Sequence, residues 1–183
     1  MNQPNIRTLI LACGNTLRSD DGVGPHLAAW AVEHYREDPS IRVISRHQWT
    51  PDLAEDLAHA ESVLFIDCSI DTPPGSIQLR EVHSITTADA DAPQAARHST
   101  HGMATHHLDA PELLALAFEL YGFAPCSAQI LTIGAASFEL GEAFSPQVAA
   151  AIPEARRRID DVVKRLPRPT QGTIASPAVS KKE

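Results

Sequence analysis

The stretch that decides the fold is Thr8-Leu9-Ile10-Leu11-Ala12-Cys13, followed by Gly14-Asn15-Thr16-Leu17-Arg18-Ser19-Asp20-Asp21-Gly22-Val23-Gly24-Pro25. Its first six residues form an apolar run that reads as a buried strand, and a helical pattern begins near Gly22. The glycines between them let the chain turn sharply and let another molecule come close. Two adjacent carboxylates therefore sit on a strand-to-helix loop, at the carboxyl edge of a parallel sheet. Open α/β sheets bind their ligands at that edge.

Working outward, apolar runs alternate with amphipathic stretches, as in βαβ units. Strands are expected at about 7–13, 41–46, 62–67, 75–82 and 127–134, and helices at about 22–36, 52–60, 109–121 and 145–165. In the first helix Leu27, Trp30, Ala31, His34 and Tyr35 recur at helical spacing and predict one buried face, with Pro25 in the first turn. Pro51 with Asp52, and Pro111 with Glu112, mark two further helix starts. Val63-Leu64-Phe65-Ile66 is continuously apolar, as a central strand covered on both faces should be. The strand from Ser76 to Val82 alternates and predicts an edge position. Residues 84–104 show no usable period, which in a compact domain marks a functional or mobile loop. The expected architecture is a three-layer α/β/α sandwich around a mostly parallel, twisted five-stranded sheet. One domain over 1–166 would be followed by a disordered tail over 167–183, rich in Pro, Ser, Thr and Lys.

Composition narrows the function. A chain of 183 residues with 43% hydrophobic content can bury one substantial core. A formal charge of −8 argues against nucleic-acid binding, which needs clustered Lys and Arg. The three cysteines, Cys13, Cys68 and Cys126, are odd in number and lie in apolar, strand-like contexts. They read as small buried residues of a reduced protein, not as a disulfide framework. The first strand begins almost at once, with no charged-then-apolar leader, and no apolar run approaches membrane-spanning length. The expectation is a soluble cytoplasmic domain. There is no P-loop, no dinucleotide fingerprint at proper spacing, no G-x-S-x-G and no H-E-x-x-H.

Candidate chemistry falls on strand ends and on the long loop. Asp20 and Asp21 follow the first strand, Asp67 ends the third, and His106 and His107 close the loop before the third helix. Carboxylates and an imidazole of this kind suit a divalent metal with open positions. Each has an ordinary alternative. An Asp before a helix caps it, and Asp20 is the candidate for that role while Asp21 is the functional one. An Asp at a buried strand end can bond loop amides, but its charge is costly there without a partner. Of the nine histidines, His26, His34, His47, His59 and His83 read as structural or solvated. His98, His101, His106 and His107 remain candidates, and spacing does not choose among them.

These motifs resemble the hydrogenase maturation proteases, which process the large subunit of nickel-iron hydrogenases. The family's first strand ends in G-x-G-N, and an acidic pair and two glycines follow. Here Ala12-Cys13-Gly14-Asn15 and Asp20-Asp21-Gly22-Val23-Gly24-Pro25 match it. An apolar strand ending in Asp is matched by Leu64-Phe65-Ile66-Asp67, and a His before a Leu-rich helix by Thr105-His106-His107-Leu108 with Leu113-Leu114. Leu131-Thr132-Ile133-Gly134, Glu139-Leu140-Gly141-Glu142 and Phe144-Ser145-Pro146 complete the pattern, so the resemblance spans residues 7 to about 165. It implies a phosphorylase/hydrolase-like α/β/α fold and an aspartic-type, metal-dependent endopeptidase. Asp21, Asp67 and His106 would be its catalytic and metal-binding residues. Gly14, Asn15, Asp20, Gly22 and Gly24 would shape the loop. His107 and His101 offer competing registers, and His106 places Leu108, Leu113 and Leu114 where the family has apolar helix residues. The implied reaction removes a C-terminal extension from a large-subunit precursor after nickel insertion. The nickel recognised would be the precursor's own, and no organic cofactor is implied. The chain is expected to act as a monomer.

Two departures stand out. Ala12 replaces a glycine, and Arg46-His47-Gln48-Trp49-Thr50-Pro51 replaces a Gly-Gly-Thr-like turn thought to border the substrate cleft. The altered loop motivates a rival reading, a non-catalytic chaperone for nickel-loaded large subunits. An unrelated metallopeptidase or amidohydrolase on a similar sheet is the third.

Overall fold

The computed structural model describes residues 6–83 and 108–165. In chain order the elements are β1 (Ile6–Cys13), α1 (Val23–His34), β2 (Ile41–Arg46), α2 (Leu53–Ala58), β3 (Ala60–Ser69), β4 (Ile77–Glu81), α3 (Ala110–Tyr121), β5 (Ser127–Gly134) and α4 (Pro146–Arg165). The strands form one sheet in the order β2-β1-β3-β5-β4. The first four of these pair in parallel, and β4 closes the edge antiparallel to β5. This is the expected α/β sandwich, with the alternating strand at the edge.

The two faces of the sheet follow from strand alternation. Ile10 and Ala12 on β1, Leu64 and Ile66 on β3, and Leu131 and Ile133 on β5 pack under α1 and α4. Leu9, Leu11, Val63 and Phe65 face the other way, under α2 and α3. With apolar residues on both faces, residues 9–13 of β1 and 63–66 of β3 are continuous apolar runs, as central parallel strands should be. Ala12, where the family resemblance has glycine, is fully buried in the first of these cores. β3 runs past the expected 62–67 because its ladder with β5 continues to Ser69 opposite Gly134.

Helix ends follow local chemistry unevenly. α3 has a full capping box: Asp109 Oδ1 accepts from the Glu112 amide at 2.8 Å, and Glu112 Oε2 accepts from the Asp109 amide at 2.9 Å. Its other end is closed by Gly122 in the left-handed conformation. At their N-termini α1 and α2 have no side-chain cap, although Asp52 stands at the α2 position. Along α1, Leu27, Ala28 and Ala31 are buried, and His34 is exposed with its ring stacked on half-buried Trp30. The core-facing stripe is therefore narrower than the periodicity predicts.

Cys13 and Cys68 are buried free thiols, whereas Cys126 is exposed. Cys126 precedes β5, at the rim, where its Sγ lies 3.1 Å from the Glu61 carbonyl that can accept from it. The expected tail from 167, the unpatterned loop and His98, His101, His106 and His107 lie outside the described residues.

Candidate active site

The order of the strands decides where a site can form. The chain leaves β1 through α1 toward β2 on one side, then returns through α2 to β3 on the other. Connections diverge at the β1–β3 boundary, so a crevice opens there beyond the carboxyl ends of both strands. Asp21 follows β1 and Asp67 lies near the end of β3, so both belong to that crevice.

Asp21 is held at both oxygens. Its Oδ2 accepts the Asn15 backbone amide at 3.0 Å, and its Oδ1 accepts the Cys68 thiol at 3.3 Å. Asn15 in turn stabilises the loop through its own side chain, with Oδ1 accepting the Leu17 amide at 2.9 Å. Asp67 is 3% exposed, and its Oδ1 accepts the Cys68 amide at 2.8 Å. Burial pushes the Asp67 carboxyl up to about 7; the Cys68 amide pulls it down, and the nearby charge of Asp21 adds to the rise. The two thiols beside the carboxylates are pushed far above the ordinary cysteine range, mainly by burial and then by the charges of Asp67 and Asp21. They are neutral hydrogen-bonding groups here, not thiolates.

A divalent cation fits this pair in charge and donor type. Two carboxylates brought together in a low-dielectric crevice repel each other, and a dication there relieves both the repulsion and the desolvation. Among the described residues no three His, Cys, Asp or Glu side chains are grouped to hold a metal ion. The third expected ligand, His106, lies outside them.

Asp20 turns away from the crevice. It is fully buried in a 3-10 turn, Ser19–Gly22, and it does not cap α1, whose N-cap is Gly22. Instead its Oδ2 accepts the amides of Ala136 and Ser137 at 2.8 and 3.0 Å, and its Oδ1 accepts the Ser145 amide at 2.7 Å. It closes the approach to α4, whose first turn is capped by Ser145 Oγ accepting from the Val148 amide at 3.3 Å. The expected N-cap is thus a cross-chain staple, because the aspartate is already inside a turn when α1 begins. Burial alone would raise its pKa, but the amides of Ser145 and Ala136, the Ser145 hydroxyl and the Ser137 amide outweigh it and hold the carboxyl below its ordinary range.

The same two loops are laced along the backbone. Ser19 N donates to Gly141 O at 2.6 Å, Gly141 N donates to Leu17 O at 3.0 Å, and Ser19 Oγ donates to Ala143 O at 2.7 Å. Ser19 has a φ of 50°, a strained conformation for a non-glycine residue that these bonds hold in place. The Asp21 loop is therefore pinned from the β5 side, and its carboxylate is aimed by a rigid support.

Gly14 and Gly24 allow the loop to fold this tightly. At Gly14 φ is 140°, and a Cβ would stand 2.0 Å from the Asp21 carbonyl oxygen. A Cβ on Gly24 would stand 2.1 Å from the Cys13 carbonyl oxygen. Gly22 is looser, with 3.1 Å to Thr16 Cα. Gly14→Ala is expected to cost upward of about 2 kcal/mol through the φ and the clash together. Urea denaturation checks this, and an unchanged midpoint would show that the loop can move aside.

Trp49 lies in the substituted turn after β2 but is not displayed for a partner. It is 6% exposed, and its ring meets Phe65 edge-on at 5.1 Å in the α2–α3 core. His47 and Gln48 are exposed, and the His47 carbonyl lies 3.4 Å from Cys13 Sγ. Residue type explains the difference: the large indole ring fills the apolar core beside Phe65.

No protein-family model matches the chain, and no curated protein is significantly similar to it. Solved structures do match. The hydrogenase maturating endopeptidase HybD from E. coli superposes with a TM-score of 0.65 at 19% identity, over 86% of this chain and 92% of that one. A hydrogenase 2 maturation peptidase from a Thaumarchaeota archaeon gives 0.59 at 25% identity, over 86% and 98%. The hydrogenase maturation protease HycI from Thermococcus kodakarensis gives 0.63 at 17%, over 88% and 95%. This is the fold of the hydrogenase maturation endopeptidases. In this maturation-endopeptidase fold, Asp21 and Asp67 mark the crevice at the centre of the sheet.

The sequence marks Cys68 only as a buried small residue and gives no role to Ala136 and Ser137. The alternation of β3 was the available signal for Cys68: it follows Asp67 onto the opposite face, toward the loop that carries Asp21. Nothing in the sequence paired Asp20 with amides more than a hundred positions away.

Proposed function

We propose that this chain is a hydrogenase maturation endopeptidase. It would remove the C-terminal extension of a nickel-iron hydrogenase large-subunit precursor after nickel has been inserted. The observation that carries the reading is that Asp21 and Asp67 stand close enough at the β1–β3 crevice for the charge of Asp21 to act on Asp67, in a fold that solved maturation endopeptidases share over most of their length. The precursor's nickel is then part of the substrate, and the carboxylate pair recognises it.

In this reading Asp21, Asp67 and His106 hold the cation. Bound there, a divalent cation supplies polarisation of the scissile carbonyl or a bound water of lowered pKa. The chain does the positioning. The Asn15 amide and Cys68 thiol orient Asp21, the Cys68 amide orients Asp67, and Asp20 locks the loop that carries them. Work in the cytoplasm as a monomer is part of the proposal. No helix among the described residues is long and apolar enough to cross a membrane.

The test is incubation of the purified protein with nickel-loaded and nickel-free precursor. The loaded form should lose its extension in a single cut, and the nickel-free form should stay intact. A stable complex with uncut, nickel-loaded precursor would instead establish the chaperone reading, although the burial of Trp49 removes part of its motivation. Tight zinc and cleavage of generic peptides would establish an unrelated metallopeptidase.

A further inference from the structure

Thr132 lies toward the carboxyl end of β5, inside the sheet and 1% exposed, and its hydroxyl has no hydrogen-bond partner among the described residues. Its place is specific. In the β3–β5 register Thr132 is the direct partner of Asp67. The faces agree as well: Leu131 and Ile133 point to the α1–α4 core, as do Ile66 and Cys68, so Thr132 and Asp67 share the opposite face. Paired strands lie about 4.8 Å apart, which a threonine hydroxyl and an aspartate carboxylate can bridge by side-chain rotation.

A β-branched residue suits a central strand, but valine meets that need without burying a polar group. An unpaired hydroxyl at a fully buried position costs stability in the resting protein. Such a cost is common where a group is kept for a partner that arrives later. The remaining orphaned hydroxyls among the described residues, those of Thr72 and Ser76, lie in or beside the β3–β4 turn and face no carboxylate in a strand register.

We propose that Thr132 is a positioning residue for Asp67, its hydroxyl donating to the Asp67 carboxylate when that carboxylate turns to a divalent cation. The inference rests on the cation site proposed above. Threonine would act as the outer partner that fixes the orientation of a ligating carboxylate, a role whose loss typically costs 10- to 100-fold in metal affinity.

The experiment is calorimetric titration of the full chain with Ni2+ alone, for wild type, Thr132→Val and Thr132→Ser, alongside urea denaturation without metal. Thr132→Val is expected to bind Ni2+ at least about tenfold more weakly, and Thr132→Ser close to wild type. The urea midpoint of Thr132→Val should be at or above that of wild type, since an unpaired hydroxyl gives way to a methyl of the same shape. Equal Ni2+ affinity in Thr132→Val would overturn the proposal. So would a lowered midpoint with no recovery of binding in Thr132→Ser, which is a packing role. Unchanged Ni2+ affinity with a raised KM for precursor would place the hydroxyl on the substrate instead, which also overturns it. Failure of wild type itself to bind Ni2+ would strike the cation site as a whole, and is told apart because no variant is needed to see it.

Discussion

Asp67→Asn is expected to reduce precursor cleavage more than about 100-fold, exceeding the loss typical of a ligand's outer partners, while leaving the fold intact. The two effects separate because the side chain has two separate roles. As an acceptor it satisfies the Cys68 amide, and the asparagine oxygen can do the same. As a charge it is disfavoured in the apo fold: burial raises its pKa to about 7 against the pull of the Cys68 amide, and the Asp21 charge adds to the rise. A raised carboxyl pKa favours folding below its unfolded value, near 3.9, and that advantage is lost as pH climbs through about 7. The asparagine variant should therefore gain stability relative to wild type across that window, with the gain levelling off in mild alkali. Cleavage assayed on a gel, and urea midpoints at acidic and mildly alkaline pH, check the two arms. Cleavage by Asp67→Asn at the wild-type rate would remove Asp67 from the site. Asp21→Asn should lose cleavage comparably, since it too gives up a negative oxygen at the crevice.

Asp20→Ala should be the most destabilising exchange of a polar side chain. It strands the amides of Ala136, Ser137 and Ser145, all of which the carboxylate satisfies. An unsatisfied buried donor costs about 1–3 kcal/mol, and partial recovery by water leaves a total of about 3–5 kcal/mol. That is a large share of the stability of an ordinary domain. The effect also has a pH signature. The folded pKa of Asp20 is depressed, so its contribution is complete above the unfolded carboxylate value near 3.9 and disappears as pH falls through the folded value. Wild type and Asp20→Ala should thus differ most at neutral pH and converge in strong acid. Chemical denaturation at neutral pH and near pH 3 measures both. A neutral-pH loss below about 1 kcal/mol, no more than one ordinary hydrogen bond, would show that the loops hold together without the staple.

The fold was legible because its elements carry their own local signals. Most of β1 and the core of β3 are continuous apolar runs, β2 and β5 match their expected bounds, and the alternating stretch ending at Val82 is the edge strand. Asp109 and Glu112 carry a capping signal that needs only three residues to work. The roles of Asp20, Trp49 and Cys126 are not legible in their local sequence, and for one reason. Each depends on what lies across space: amides of the β5–α4 connection, the ring of Phe65, and the rim beside Glu61. Periodicity places His34 on the buried face for a related reason: it describes a helix face but not how wide a neighbour covers it, and the exposed His34 agrees instead with its reading as a structural or solvated histidine.

From residues alone come the strand–loop–helix unit that carries Asp20 and Asp21, the apolar strand that ends at Asp67, and a sheet with its carboxyl edge open to ligands. These follow from periodicity, glycine placement and charge, all of which act within a few positions of each other. Which aspartate faces the crevice is a tertiary decision. β1 and β3 must pair before Cys68 can reach Asp21, and the β5–α4 connection must close over the loop before Asp20 finds its amides. The pairing of Asp67 with the unsatisfied hydroxyl of Thr132 likewise exists only in the β3–β5 register. Two neighbouring, chemically identical side chains part company because one is drawn into a nest of backbone donors and the other is left beside a second buried carboxylate.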